Sequence, residues 1–192
     1  GLSYPPLLDS AATPPFVLFS QSDSAFPIPD AKCISIVGTR NATRYGREFT
    51  QRLVRELAEL DPTIVIVSGL ALGIDAEAHR AALACGLRTV AVLAHGLSSI
   101  YPSEHERLAR EVRAHGALVS EYFSEARAER ATFLQRNRII AGLSHATVVV
   151  ESDIKGGAMS TAAFAFNGGR EVFALPGQAG VATSAGCNRL IH

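Results

Sequence analysis

Cysteine is scarce in this sequence of 192 residues, and its positions exclude two classes of protein. The three thiols, Cys33, Cys85 and Cys187, lie far apart, form no C-x-x-C pair and have no histidine cluster beside them. A disulfide framework needs paired cysteines, and a zinc site needs ligands at short, regular spacings. We therefore expect reduced thiols in a cytoplasmic protein without a metal site.

Net charge and long hydrophobic runs are also lacking. The 18 basic and 18 acidic residues give a formal net charge of zero, so binding to a polyanion would need a local basic patch. No apolar run approaches the roughly 18–20 residues of a membrane span, and the amino terminus has no basic-then-apolar signal pattern. We therefore expect no membrane association. The chain begins with Gly1 rather than methionine, which predicts a fragment or a processed chain.

Proline is concentrated at one end of the chain. Six of the nine prolines precede residue 30, and proline removes backbone donors and favours extended, irregular structure. Residues 1–31 are therefore predicted to be an irregular connector, the end of an upstream region, with at most an edge strand at residues 16–19. The domain that contains the core is predicted to cover residues 32–192.

From residue 33 onward, β-branched runs alternate with amphipathic stretches. The run 64–67 is apolar at every position, whereas Phe49, Leu53, Leu57 and Leu60 recur at helical spacing. Strands that are apolar on both faces belong in a parallel sheet covered by helices on each side. We therefore predict an α/β fold with a doubly wound, mostly parallel sheet of the extended Rossmann-like type. The predicted strands cover residues 34–37, 64–67, 89–94, 118–119, 147–150 and 171–175, and the predicted helices cover residues 45–60, 75–85, 104–115, 134–143 and 159–166.

The residues that follow the first strand are candidates for an anion site, because ligands of such folds bind at the carboxyl ends of the strands. Gly38-Thr39-Arg40 comes directly before a helix, and the free backbone N–H groups and positive dipole end of a helix suit a phosphate. Arg40 lies on the loop and is the better candidate for a contact. The arginines farther along the helix are interpreted as a solvated face.

The segment after the second strand contains Ser68-Gly69 and Gly73, followed by Asp75. Two glycines four residues apart let a ligand approach the backbone, and Asp75 is predicted to cap the next helix. A loop required only by the topology is an equally good interpretation. The segment is not the G-x-G-x-x-G fingerprint, and the acidic residue expected about 20 residues farther on is absent, which disfavours NAD and FAD.

Phe133 precedes the triplet Arg136-Asn137-Arg138 on a predicted helix. An aromatic ring can stack on a base of any identity, and a buried packing role is the alternative for Phe133. Arg136 and Arg138 are two residues apart and do not share a helix face. We therefore expect one arginine to reach a ligand and the other to form a structural salt bridge.

A second anion site is predicted after the strand that ends near residue 150. Lys155-Gly156-Gly157 and Ser160 form another glycine-rich and hydroxyl-rich helix start, whose backbone amides suit an anion. Two such sites with several loop cations indicate a polyphosphate or a nucleic-acid backbone.

Motifs of known catalytic sites are missing from the sequence. It contains no G-x-S-x-G elbow, P-loop, H-E-x-x-H helix or metal-binding carboxylate cluster. His95 ends a predicted strand without a nucleophile or a carboxylate at a recognisable spacing, and it is interpreted as structural. We therefore expect no catalysis and no cofactor.

Together these segments resemble the DprA/Smf family of DNA-processing proteins. The resemblance includes Gly38-Thr39-Arg40 and Phe133, and it runs in the family's order and spacing from about residue 16 to the end of the chain. The matching residues are 36–40, 45–46, 68–71, 73–75, 78–79, 100–102, 133, 136–142, 149–151, 157, 161–162, 170–174, 176–177, 186–188 and 190–191.

The resemblance implies a function and a binding site. It implies a homodimeric core that binds single-stranded DNA with little sequence preference and no cofactor, protects incoming DNA, and loads RecA during natural transformation or homologous recombination. The implied DNA-binding residues are Gly38, Thr39, Arg40, Ser68, Gly69, Gly73, Phe133, Arg136, Asn137, Arg138, Lys155, Gly156, Gly157 and Ser160.

Two departures from the family pattern and one competing function accompany this resemblance. Leu72 stands where the family usually has arginine, and residues 156–160 differ from its common Ser-Gly-Ser-Leu-type loop. The competing function is a small-nucleotide sensor or a phosphoribohydrolase-like enzyme on a related fold. Such enzymes need a catalytic acid beside a Gly-Gly-x-Gly-Thr loop; Ala158 and Met159 interrupt that loop here, and the only comparable acid, Glu151, is interpreted as structural.

Overall fold

The computed structural model describes residues 4–23 and 31–192, and within these ranges the chain forms seven strands and seven α-helices. The strands are β1 (Phe19–Gln21), β2 (Cys33–Val37), β3 (Val65–Ser68), β4 (Arg88–Val92), β5 (Ala117–Ser120), β6 (Ala146–Val149) and β7 (Glu171–Ala174). The helices are α1 (Pro6–Asp9), α2 (Arg44–Leu60), α3 (Ile74–Ala84), α4 (Glu106–His115), α5 (Arg130–Gly142), α6 (Gly157–Asn167) and α7 (Ala182–Ile191).

All seven strands form one sheet in the order β1-β5-β4-β3-β2-β6-β7. Every neighbouring pair is parallel except β1 and β5, which are antiparallel. The chain steps from β2 outward to β5, and then returns past β2 to add β6 and β7 on the other side. The predicted doubly wound, mostly parallel sheet is therefore confirmed, and its switch point lies between β2 and β6.

Apolar side chains cover both faces of the sheet. In β2, Ile36 belongs to a buried cluster with residues of α2 and α3, whereas Cys33 and Val37 belong to a cluster with residues of α5 and α6. Successive side chains of a strand point to opposite faces, so a continuous apolar run fits only a strand that is covered on both sides. The result is a three-layer α/β/α domain.

The amino-terminal segment is more ordered than its prolines predict. Pro6 occupies the first turn of α1, where a missing N–H costs nothing, so proline starts this helix rather than preventing it. Leu8 of α1 is fully buried in the core beside α5. The predicted edge strand is present as β1, in which Phe19 pairs with Ser120 of β5. The prediction of an irregular connector over residues 1–31 is therefore wrong where α1 and β1 form. Residues 1–3 and 24–30 of that segment lie outside the described residues.

Two helices differ from the sequence prediction. Helix α5 begins at Arg130, before the predicted start at residue 134, because Glu129 and Thr132 form a reciprocal capping box. Helix α7 was not predicted, because its first five residues are small and give no apolar stripe. In the described part of the chain, no helix is both long and apolar enough to cross a bilayer.

Candidate nucleic-acid interface

A cleft of about 870 Å³ opens at the switch point between β2 and β6. We call it the switch-point cleft. Its walls come from residues 37–40 after β2, residues 128–140 at the start of α5, and residues 152–161 between β6 and α6, with Ala71, Asp75 and Tyr101 completing the lining. Loops that leave adjacent strands toward opposite faces of the sheet leave such a crevice between them. Three segments far apart in the sequence therefore meet at one surface.

Ten of the fourteen predicted DNA-binding residues line this cleft, and four do not. The ten are Gly38, Thr39, Arg40, Phe133, Arg136, Asn137, Lys155, Gly156, Gly157 and Ser160. Ser68, Gly69, Gly73 and Arg138 lie outside the lining. The prediction missed Tyr101, Arg130 and Leu134, which also line the cleft.

An aromatic platform lies in the cleft close to two cations. The guanidinium of Arg40 lies 5.1 Å from the centroid of the half-buried Phe133 ring, and that of Arg136 lies 5.9 Å from it. The ring of Tyr101, from the loop after β4, is centred 5.8 Å from the same ring. Aromatic rings flanked by guanidinium groups bind nucleobases by stacking and cation–π attraction.

Exposed cations give the cleft a small local excess of positive charge. Arg40, Arg130 and Lys155 are exposed and form no ion pair within residues 4–23 and 31–192. Glu129 and Asp153 are the exposed acids of the lining. The cations can therefore meet an incoming anion without first breaking an internal salt bridge.

The amino terminus of α6 opens into the cleft. Its N-cap residue, Gly156, has no side chain to cap the helix, and a Cβ on Gly157 would meet no atom within 4 Å. Asn137 fixes this loop by donating from Nδ2 to the carbonyl of Gly157 at 3.2 Å and to Oγ of Ser160 at 2.8 Å. The predicted second anion site thus has an uncapped helix start with its positive dipole end in the cleft.

An internal carboxylate occupies part of the phosphate cradle predicted at the start of α2. Oε2 of Glu151 accepts from the backbone N–H of Thr43 at 2.9 Å, and Oε1 accepts from the Thr43 hydroxyl at 2.5 Å. The dipole and free amide of this helix end are satisfied before any ligand arrives. Only the loop of residues 38–40, with the Arg40 side chain, remains available to an anion.

Asp75 does not cap α3 as predicted. The N-cap is Gly73, and Asp75 lies in the first turn with its carboxylate turned back to accept from the backbone N–H of Gly69 at 3.1 Å. Burial raises the pKa of Asp75, and the positive charge of Arg136 opposes that rise. The buried carboxylate therefore organises the loop that ends β3.

Two other predicted residues of that loop, Ser68 and Gly73, also have structural roles. The hydroxyl of Ser68 is buried and donates to the carbonyl of Ile36 at 2.6 Å. Gly73 has φ +78°, and a Cβ there would lie 2.1 Å from the carbonyl oxygen of Thr39. These contacts favour the interpretation of a loop that the topology requires. Leu72, at the family's usual arginine position, is half-exposed and is not part of the cleft lining.

Arg136 forms the floor of the cleft. It is 4 % exposed and donates to the carbonyl of Gly69 at 2.8 Å, to the carbonyl of Val92, and to Oδ1 of Asn137 at 3.2 Å. Burial lowers the pKa of Arg136 to about 10, and the negative charge of Asp75 counteracts this effect. Nε and Nη1 donate to protein oxygens, so Arg136 is a fixed support of the cleft beside Phe133.

Arg138 is directed away from the cleft. Its Nη2 donates to Oε2 of Glu121 at 2.5 Å, and both side chains are largely buried. The expectation that one arginine of the triplet forms a structural salt bridge is confirmed for Arg138. Arg138 does not line the cleft with Arg136, because residues two apart on α5 face different sides.

His95 is engaged by the backbone through both ring nitrogens. Nδ1 lies 2.7 Å from the carbonyl oxygen of Gly96, and Nε2 accepts from the backbone N–H of Tyr101 at 3.2 Å. The ring is buried and holds the loop that carries Tyr101. This geometry confirms the structural interpretation of His95.

The fold and the cleft define a Rossmann-like α/β protein with its binding surface at the switch point of the sheet. Comparison with known proteins gives the family. The model of the family described as DNA recombination-mediator protein A matches residues 2–192, so the chain belongs to this family. The resemblance to the DprA/Smf proteins is thereby confirmed.

Individual relatives agree with this assignment. The chain is 42% identical to Protein Smf of Synechocystis sp. over 98% of its own length and 48% of the relative. It superposes with a TM-score of 0.92 and 34% identity on DNA processing protein A of Streptococcus pneumoniae, covering 98% of this chain and 65% of that one. For the Helicobacter pylori protein, whose structure is described as giving insight into its single-stranded DNA binding mode, the TM-score is 0.88 at 33% identity, covering 98% and 84% of the two chains. The chain spans about half the length of the curated relatives it matches.

Proposed function

We propose that this chain binds single-stranded DNA in the switch-point cleft. Phosphates would lie against Arg40, Arg130, Lys155 and the start of α6, and a base would stack on Phe133. The observation that carries the proposal is the position of Arg40 directly over the Phe133 ring, at 5.1 Å, which brings a phosphate contact and a base platform within one nucleotide of each other. The Helicobacter pylori relative that is described as binding single-stranded DNA supports it.

A single strand suits this cleft better than a duplex does. The platform needs an exposed base face, and in a duplex each base face is already stacked on its neighbours. Every base has such a face, so recognition of this kind needs little sequence preference.

We also propose that the protein acts without catalysis and without a cofactor. Both carboxylate oxygens of Glu151 accept from Thr43, and both ring nitrogens of His95 are engaged by the backbone. A general acid or base needs to reach a substrate atom. This arrangement favours a DNA-binding protein over the phosphoribohydrolase-like alternative.

The wider role follows from the family resemblance and belongs to the same proposal. The protein would protect incoming DNA and load RecA in the cytoplasm during natural transformation or homologous recombination, and it would act as a homodimer. The edge of the sheet supports a self-association surface, because Phe164 and Phe166 of α6 and Phe173 of β7 are exposed there. Exposed aromatic side chains are enriched at interaction surfaces.

Arg40→Ala is expected to weaken binding to a labelled oligo-dT strand about tenfold and to lower the slope of log affinity against log salt by about 0.7, because one phosphate contact is lost. Fluorescence anisotropy across a salt series measures both quantities. Arg138→Ala is the matched control, since this arginine lies outside the cleft and is expected to leave affinity and slope unchanged.

The same titrations with the matching duplex test the preference for single strands. We expect weaker binding of the duplex by the wild-type protein at every salt concentration. The proposed site would be contradicted if Arg40→Ala and Arg138→Ala lost equal amounts of oligo-dT affinity, or if the wild-type protein bound single strand and duplex with equal affinity. If the folded wild-type protein did not bind oligo-dT at low salt, the proposed function itself would be contradicted.

A further inference from the structure

The loop that carries Arg40 is attached at both ends to a single residue, Glu151. The backbone carbonyl of Glu151 accepts from the N–H of Thr39 at 2.7 Å. Its carboxylate accepts from the N–H of Thr43 at 2.9 Å and from the Thr43 hydroxyl at 2.5 Å. Arg40 lies between these two points of attachment, so the path of its backbone depends on where Glu151 is held.

Glu151 is held firmly, and it lines a separate cavity beside Tyr45 and Pro176 rather than the switch-point cleft. Its side chain is 4 % exposed and is not part of the cleft lining. A Cβ on Gly46 would lie 2.4 Å from its Oε2, so glycine at that position leaves the room that the carboxylate occupies. The negative charge faces the positive end of the 17-residue helix α2, which stabilises it there.

The Arg40 side chain has little else to fix its direction. It is exposed, it forms no ion pair within the described residues, and its guanidinium is placed over Phe133 by a cation–π contact. A long cationic side chain loses several rotamers when it is confined. The backbone of residues 39–43 therefore decides whether the guanidinium enters the cleft or points into solvent.

We propose that Glu151 is a positioning residue for DNA binding, which acts through Arg40 and does not touch the DNA. The inference rests on the proposed function, because it assigns Glu151 a role in that same site. Removal of the carboxylate frees the Thr43 end of the loop, while the Thr43 hydroxyl can still cap α2 by accepting from the Gly46 N–H. Arg40 then spends less of its time over Phe133, and the phosphate contact weakens.

A double-mutant cycle tests this role, because two residues that act through one contact are not additive. Glu151→Ala is expected to weaken oligo-dT binding about fivefold in the wild-type protein and less than about 1.5-fold in the Arg40→Ala protein. The salt slope of Glu151→Ala is expected to fall toward that of Arg40→Ala. Glu151→Gln is expected to restore most of the affinity, since its amide can accept from the Thr43 N–H and donate to the Thr43 hydroxyl oxygen.

Two further variants separate positioning from a general loss of stability. Glu121→Ala removes another largely buried carboxylate, bonded to Arg138 outside the cleft, and is expected to bind DNA like the wild type. Thr43→Val removes the hydroxyl contact with Glu151 and also the cap bond that this hydroxyl accepts from the Gly46 N–H, and it takes the place of Glu151→Ala in the cycle if that variant does not fold. Thermal unfolding of each variant shows whether it is folded at the temperature of the titration.

The outcomes distinguish this inference from the proposed function. Equal losses of affinity upon removal of Glu151 in the wild-type and Arg40→Ala backgrounds would overturn the positioning role while leaving the DNA site intact. A Glu151→Gln variant as weak as Glu151→Ala would overturn it as well. Wild-type affinity in Arg40→Ala alone would overturn the DNA site at Arg40, and the positioning role with it.

Discussion

Replacing Arg136 with methionine is expected to lower the free energy of unfolding by about 3 kcal/mol near neutral pH. Methionine fills much of the same space but cannot donate to the carbonyls of Gly69 and Val92, which arginine satisfies in the wild type. It also leaves the carboxylate of Asp75 buried without a compensating positive charge. Breaking a buried charge pair from one side costs more than the pair itself contributes, because the remaining charge is stranded.

The size of this loss is expected to depend on pH in a defined direction. Burial already raises the pKa of Asp75, and loss of the Arg136 charge raises it further. An acid whose pKa is raised in the folded state destabilises the fold fully above that pKa, and the destabilisation fades as the pH falls from that pKa to the pKa of the unfolded state. The loss caused by Arg136→Met should therefore be clearly larger at about pH 8 than at about pH 5.

Urea unfolding of the wild type and the variant at the two pH values measures the effect. Asp75→Asn provides the matched control, because it removes the titrating group while keeping the side-chain size. The difference in stability between Asp75→Asn and the Asp75→Asn/Arg136→Met double variant is expected to be nearly the same at both pH values. A loss from Arg136→Met alone that does not change with pH would show that Asp75 is not coupled to Arg136.

Phe133→Ala is expected to produce the largest loss of DNA affinity, about 10- to 30-fold for oligo-dT, because it removes the base-stacking platform. The salt slope should stay at the wild-type value, since no phosphate contact is lost. Phe133→Trp should keep most of the affinity, because indole offers a comparable stacking face. Anisotropy titrations across a salt series separate this behaviour from that of Arg40→Ala, which lowers the slope.

Phe123 offers a control for the loss of an aromatic side chain. Its side chain is 80 % exposed, its ring is centred 5.8 Å from that of Phe19, and it lies outside the cleft lining. Phe123→Ala is expected to bind oligo-dT like the wild type. Wild-type affinity in Phe133→Ala would mean that the ring only packs against the arginines, the alternative that the sequence left open.

The layered fold could be predicted from the sequence because its strands have an unambiguous pattern. The run 64–67 is apolar at every position, which fits only a strand covered on both faces, and it forms β3 at Val65–Ser68. The short elements at the chain ends carry no such signal. Pro5 and Pro6 were interpreted as breaking structure, yet a proline at the start of a helix has no N–H to lose, and α1 places Leu8 in the core.

The site was predicted in its location and less well in its details. The rule that ligands bind at strand ends placed Arg40, Lys155 and Phe133 together, although more than 90 residues separate the first from the last of them. The rule that helix starts bind anions was weakened at α2, where Glu151 supplies an internal carboxylate, and the prediction that Asp75 caps α3 was wrong, because its carboxylate turns back to the Gly69 N–H. Whether an internal carboxylate competes with a ligand for a helix start depends on contacts between residues far apart in sequence. A local sequence motif carries no information about such contacts.

The most direct test of the claim that DNA lies in the switch-point cleft is photo-cross-linking of the wild-type protein to an iodouracil-substituted single strand, with the attached residues identified by mass spectrometry. Aromatic side chains that stack on the base should react, so we predict cross-links at Phe133 and Tyr101, lost when unlabelled oligo-dT competes. Competed cross-links confined to aromatic residues outside the cleft, such as Phe123 or Phe166, would contradict the claim.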